Sequence, residues 1–127
     1  MSRRYGTPGG SKYEGPPEAL DAYRSVVEAS RSGTGVKGAK NPYTSRNGHM
    51  FSFLAPDGTM ALRLADEMTD EFRSNYESGD VIQYNATMRG YSSVPSELLA
   101  DTAALAAWFD RSWEWIGTLP PKPTKGK

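Results

Sequence analysis

Asn47-Gly48-His49-Met50-Phe51-Ser52-Phe53-Leu54-Ala55-Pro56-Asp57-Gly58-Thr59-Met60-Ala61-Leu62-Arg63-Leu64 is the stretch that decides the fold. Asn-Gly and Asp-Gly tolerate the positive φ that tight hairpin turns need, and here they bracket short apolar runs. The expectation is an antiparallel β-meander with turns at Asn47-Gly48 and Pro56-Asp57-Gly58. A period of two puts Met60, Leu62 and Leu64 on one face of the last strand and Arg63 on the other, which predicts one covered face and one wet face.

Downstream the period lengthens. Leu64, Met68, Phe72 and Tyr76 recur every four residues, which predicts a helix capped by Asp66 and stopped by Gly79. Asp66, Glu67, Asp70 and Glu71 fall in its first turns, where they complement the positive end of the helix dipole. Two short strands are expected near Val81–Ala86 and Met88–Ser93, ended by Pro95. A last helix runs from Asp101, another N-cap residue, to Ile116, before Gly117 and Pro120-Pro121. At about 100° per residue, Ala104, Leu105, Trp108, Phe109, Ser112, Trp115 and Ile116 share its apolar face, with Trp113 at the edge.

Upstream, Pro16-Pro17 opens a helix that Leu20, Tyr23 and Val27 carry to about Arg31, ahead of the linker Ser32-Gly33-Thr34-Gly35. The reading is an α+β domain, a two-layer packing of an antiparallel sheet of about four to five strands with about three helices. It occupies residues 16–119, between a disordered arm at 1–15 and a disordered basic tail at 120–127.

Composition excludes several function classes. The chain has 127 residues and no cysteine, so disulfides, thiolate nucleophiles and thiolate zinc sites are absent. No apolar run follows Met1-Ser2-Arg3-Arg4 and none elsewhere is long enough for a membrane span, so the expectation is a cytoplasmic protein without membrane contact. Gly33-Thr34-Gly35-Val36-Lys37-Gly38 matches G-x-G-x-x-G, yet it follows a helix and leads into strands, the inverse of the order a dinucleotide site needs. His49 is the only histidine and has no serine elbow to activate. The acids at 66–71 already have a structural reason to cluster at a helix start. No catalytic residue, metal ligand or cofactor is assigned, and the residues point away from an enzyme.

Charge is balanced overall, with 15 basic and 15 acidic residues, but it is segregated. Residues 33–48 carry Lys37, Lys40 and Arg46 and no acid, and residues 118–127 carry Lys122, Lys125 and Lys127 and no acid. Residues 49–80 hold seven acids against two bases. Such segregation steers partners. Lys37, Lys40, Tyr43 and Arg46 combine cations and an aromatic as single-strand nucleic-acid surfaces do, and Trp113 is the tryptophan most open to a partner. These five residues form the candidate partner or weak nucleic-acid surface.

Gly48-His49-Met50-Phe51, Asp57-Gly58, Met60-Ala61-Leu62-Arg63-Leu64, Met88-Arg89-Gly90-Tyr91, Val94-Pro95-Ser96-Glu97-Leu98-Leu99, Ser112-Trp113-Glu114-Trp115 and Leu119-Pro120-Pro121-Lys122-Pro123 occur in that order. In this series the chain, from about Val36 to Lys125, resembles the TfoX N-terminal domain family of bacterial proteins related to regulators of competence for DNA uptake. The resemblance implies a compact α+β fold with an antiparallel sheet and flanking helices. It implies no catalytic residues. It corresponds to a stand-alone TfoX-like protein, a non-enzymatic regulatory or protein-interaction module whose partners are proteins or a second copy of itself.

Overall fold

The computed structural model describes residues 13–83 and 85–121. Their order is α1 (Pro17–Ala29), β1 (Tyr43–Arg46), β2 (His49–Leu54), β3 (Met60–Arg63), α2 (Asp66–Asn75), β4 (Asp80–Gln83), β5 (Ala86–Val94), α3 (Ser96–Leu99) and α4 (Thr102–Ile116). The five strands form one antiparallel sheet in the order β1-β2-β3-β5-β4, so the protein is α+β as its patterning predicts.

The hairpin turns behave as their residues dictate. Asn47 and Gly48 take φ of 55° and 82° between the paired residues Arg46 and His49, the double positive φ of a two-residue turn matched to strand twist. Between β2 and β3, Gly58 takes φ of 92°, and the Asp57 carboxylate accepts the Thr59 amide at 2.9 Å. β4 ends at Gln83 and β5 begins at Ala86, three and two residues sooner than the pattern predicts, and β5 then runs for nine residues through Gly90, at φ 84°.

Helix ends differ from expectation in instructive ways. α1 stops at Ala29 because Ser30 turns extended and its hydroxyl donates to the Val27 carbonyl at 2.7 Å. Asp66 is the first helical residue of α2 rather than its cap, which is Ala65. The helix also ends at Asn75, short of Gly79, because Gly79 is already engaged with β5: its amide donates to Ser93 Oγ and its carbonyl accepts from the Ser93 amide, both at 3.0 Å. Asp101 caps α4 by accepting the Ala104 amide. The single turn of α3 has no periodic signal; it follows directly from Pro95 at its N-cap.

The main core joins all four helices to one side of the sheet. It contains Tyr23, Val26 and Val27 of α1, Phe72 of α2, Leu98 and Leu99 of α3, and Leu105, Trp108, Phe109 and Ile116 of α4, packed on Phe51, Leu54, Met60, Leu62 and Val94. Phe51 meets Phe109 with ring centroids 5.0 Å apart, and Phe72 meets Trp108 edge-on at 5.0 Å. Burying each such ring is worth about 1.5–3 kcal/mol. Trp115 is half-buried, packed against this core at its margin with Arg63 nearby, whereas Ala106 is buried within it.

One break in strand alternation organises the sheet. Thr44 pairs with Ser52 and Ser45 with Met50, so Phe51 is an extra residue in β2. Such a bulge reverses the parity of the strand. Phe51, Ser52 and Leu54 therefore serve the helical side, while Phe53 joins Met50 on the opposite face. Ser52, fully buried, bonds the Tyr23 hydroxyl at 2.7 Å and the Thr44 hydroxyl at 2.5 Å, tying α1, β2 and β1 through three hydroxyls.

This triad yields a graded prediction. Tyr23→Phe leaves Ser52 and Thr44 bonded to each other and should cost about 1 kcal/mol, whereas Ser52→Ala strands two buried hydroxyls and should cost about 2–3 kcal/mol. Urea unfolding measures both, and equal losses would contradict the central place of Ser52.

Candidate ligand-binding cleft

The sheet face opposite the helices is not the wet surface that strand alternation predicts. Phe53, Ala55, Ala61, Val81 and Tyr91 are buried there as a second cluster, with Tyr43, Met50 and Met88 packed against it. Every one of these residues lies on a strand or directly follows one, and no helical residue belongs to the cluster. Phe53 and Tyr91 pack with centroids 5.5 Å apart, and the Tyr91 hydroxyl donates to the Met50 carbonyl at 2.6 Å. Burial pushes the ionisation of that hydroxyl up to about 12, against a smaller opposing pull from Arg63. The Tyr23 hydroxyl, on the helical side, is also raised by burial.

Over this cluster lies a cleft of about 510 Å³. Tyr43, Met50, Phe53 and Met88 give it an apolar lining, Gln83 stands at one end, and the loop at residues 38–41 forms the opposite rim. That rim is built to hold its shape. Lys37 and Tyr43 exchange backbone hydrogen bonds of 2.8 and 2.9 Å, the Leu54 amide donates to the Pro42 carbonyl, and the Tyr13 amide donates to the Ala39 carbonyl. Gly38 is required in the rim: its φ is 81°, and a Cβ there would meet the Asn41 carbonyl oxygen at 2.7 Å. Among the described residues Lys40 is the only charged one in the lining. A smaller depression of about 190 Å³ adjoins the cleft across Phe53, Ala55 and Gln83 and carries Asp57 and Asp80.

The five candidate surface residues fall into two groups. Lys40 and Tyr43 line the cleft, and Lys37 stands beside it with its ammonium donating to Ser45 Oγ at 3.1 Å. Arg46 is elsewhere, because an odd number of steps separates it from Tyr43 and the two point to opposite faces of β1. Its guanidinium lies 3.7 Å from the centre of the Trp113 ring and donates to the Trp113 carbonyl at 2.8 Å. It also fills the space over Gly117, where a Cβ would come within 2.4 Å of its guanidinium carbon. A cation at the C-terminal end of α4 meets the negative pole of that helix. Arg46 and Trp113 therefore pair with each other, and the 37–46 segment is not a continuous cationic stripe. Lys122, Lys125 and Lys127 lie outside the described residues.

The other chemical candidates have structural partners. His49 Nε2 is 2.8 Å from the Pro120 carbonyl oxygen and fixes the start of the C-terminal segment. Glu71 takes both guanidinium nitrogens of Arg111, at 3.1 and 2.9 Å, and these hydrogen bonds hold its carboxyl below the ordinary range. Arg111 in turn lies 4.4 Å from the centre of the Trp108 ring. Gly33 to Gly38 forms the connection from α1 to β1, with no helix N-terminus following it. Among the described residues no three His, Cys, Asp or Glu side chains gather as a metal site, and no helix is long and apolar enough to cross a membrane.

Met50, Phe53, Gln83 and Met88 were not singled out by the sequence patterning. The available signal was Met50-Phe51-Ser52-Phe53-Leu54, whose apolar residues occupy both strand parities, the mark of a strand covered on both faces. Comparison with protein-family models, with curated proteins and with solved structures finds no match to this chain.

Two predictions come from these contacts. Arg46→Ala and Trp113→Ala, combined in a double-mutant cycle, should show a coupling of about 1 kcal/mol, measured by chemical denaturation; additive losses would mean the stacked pair contributes nothing. The Tyr91 hydroxyl, raised from 10.0 to about 12, gives stability that is whole below pH 10 and lost as pH rises from 10 towards 12. The slope from this one group reaches about 1.4 kcal/mol per pH unit, and Tyr91→Phe should remove that share of the alkaline fall. An unchanged alkaline profile in the variant would contradict the assignment.

Proposed function

We propose that this protein is a non-enzymatic regulatory module that acts by binding, with the cleft on the open sheet face as its contact surface. The observation that carries this reading is the lining itself: Tyr43, Met50, Phe53 and Met88 present an apolar floor over a buried cluster made only of sheet residues. A face of this kind loses water readily to a ligand, and a pre-formed apolar concavity with few polar groups is the usual form of a small-molecule site. Among the described residues the lining carries no histidine and no carboxylate, and its surface is mainly apolar.

The TfoX resemblance supports the regulatory part of this reading. In it, helices and sheet form two layers, the cleft faces outward from the sheet layer, and the module works in the cytoplasm on a protein partner or a second copy of itself. Nucleic-acid binding through residues 37–46 has less support, because Arg46 stacks on Trp113 away from Lys40 and Tyr43.

Nile red, an uncharged apolar dye whose emission rises on leaving water, tests the cleft directly. It should bind the whole protein saturably at one site, and Met88→Glu, which sets a carboxylate in the lining, should weaken that binding about tenfold or more while leaving the circular dichroism unchanged. Absence of saturable binding by the unaltered protein would refute the reading.

A further inference from the structure

We infer that the cleft takes a small amphiphilic monocarboxylate, its carboxylate against Lys40 and its hydrocarbon body over Phe53 towards Met88. This inference rests on the cleft being the binding surface and adds the chemistry of the occupant. Three observations select that chemistry.

The first is charge. Among the described residues Lys40 is the only ionised side chain in the lining, and it takes part in neither of their two ion pairs, Arg73–Asp80 and Arg111–Glu71. The neighbouring Lys37 already donates to Ser45. An ammonium at the rim of an apolar floor attracts an anionic head and repels a cationic one.

The second is polarity along the face. Asp57 and Asp80 stand in the adjoining depression, beyond Phe53 and Ala55 from Lys40. Asp57 accepts the Thr59 amide and Asp80 pairs with Arg73 at 3.2 Å. These carboxylates disfavour an anion at their end, so one orientation is selected: head at Lys40, tail along Met50 and Phe53.

The third is shape. A cleft of about 510 Å³ lies within the range of about 300–1,000 Å³ that small ligands occupy. An extended peptide adding to the sheet beside the loop at residues 38–41 would need the outer edge of β1, one of the two edges of the sheet. There Tyr43 already exchanges both of its backbone hydrogen bonds with Lys37, so that position offers no free ladder to a new strand.

Isothermal titration of the whole protein with hexanoate, octanoate and decanoate, below their micellar concentrations, tests the inference, with decyltrimethylammonium as the cationic control. Affinity should rise about fourfold per added methylene as each is buried. Decanoate should bind more tightly than the cationic control and displace Nile red. Lys40→Ala, at an exposed position, should weaken decanoate about fivefold without changing Nile red binding, and Lys40→Glu should weaken it further and reverse the preference for the anion. Equal binding of the anionic and cationic chains, or decanoate affinity indifferent to Lys40, would overturn the carboxylate assignment while Nile red binding kept the cleft intact. Loss of Nile red binding in the unaltered protein would instead remove the cleft itself.

Discussion

The bulge at Phe51 is the constraint on which the rest of the structure depends. In a regular strand, Phe51 and Phe53 would point the same way, and one side of the sheet would receive both rings. With Ser45 paired to Met50 and Thr44 to Ser52, the parity changes within β2. Phe51 then packs on Phe109 in the helical core and Phe53 on Tyr91 across the sheet. The same step turns Ser52 inward, where the Tyr23 and Thr44 hydroxyls satisfy it and fix α1 over the edge of the sheet. A buried hydroxyl without partners would be costly, so the bulge and the triad stabilise each other.

Much of the fold was legible because it rests on local rules. Asn47-Gly48 and Asp57-Gly58 fix hairpins through φ, Pro17 and Asp101 mark helix starts, and the four-residue spacing of Leu64, Met68, Phe72 and Tyr76 marks α2. What was not legible depends on pairing between distant segments. Gly79 looks like a helix stop, but its backbone belongs to Ser93 fourteen residues on, and no local pattern announces that. Trp115 fits the apolar stripe by angle, yet it packs only at the margin of the core, where Arg63 at the end of β3 lies over its ring. The wet face expected from Arg63 failed because Ala61, a small residue with a weak hydrophobic signal, is buried there beneath larger neighbours.

The candidate site shows the same division. Counting Lys37, Lys40 and Arg46 along the chain gives a basic segment, but a strand sends alternate residues to opposite faces, and only Lys40 and Tyr43 reach the cleft. The described arginines with aromatic or carbonyl contacts are engaged in holding the fold. Arg46 lies on Trp113, Arg111 on Trp108, and Arg73 donates to Ser92, Asp80 and the Tyr91 carbonyl. Planar, weakly hydrated guanidinium groups suit such places better than ammonium groups do. Linear charge therefore overstates the positive surface available to a polyanion, and it leaves the strongly hydrated Lys40 as the cation facing the apolar floor.

A sheet with helices on one side must still deal with its other side. It can make that side polar, as alternating strands do, or leave it apolar and accept an attraction for other molecules. This chain follows the second course at its centre. The sheet's own residues cover Ala61, Val81 and Tyr91, and the polar group most at risk there, the Tyr91 hydroxyl, is satisfied by the Met50 carbonyl. The rim at Gly38 to Asn41 is then pinned at both ends by backbone hydrogen bonds. Apolar floor, satisfied interior and fixed rim together lower the entropy lost when a ligand is held, because the groups that would contact it are already ordered. No residue of the rim at 38–41 belongs to the helical core. The physical case for a binding surface lies in that excess order around an apolar hollow with one charged edge.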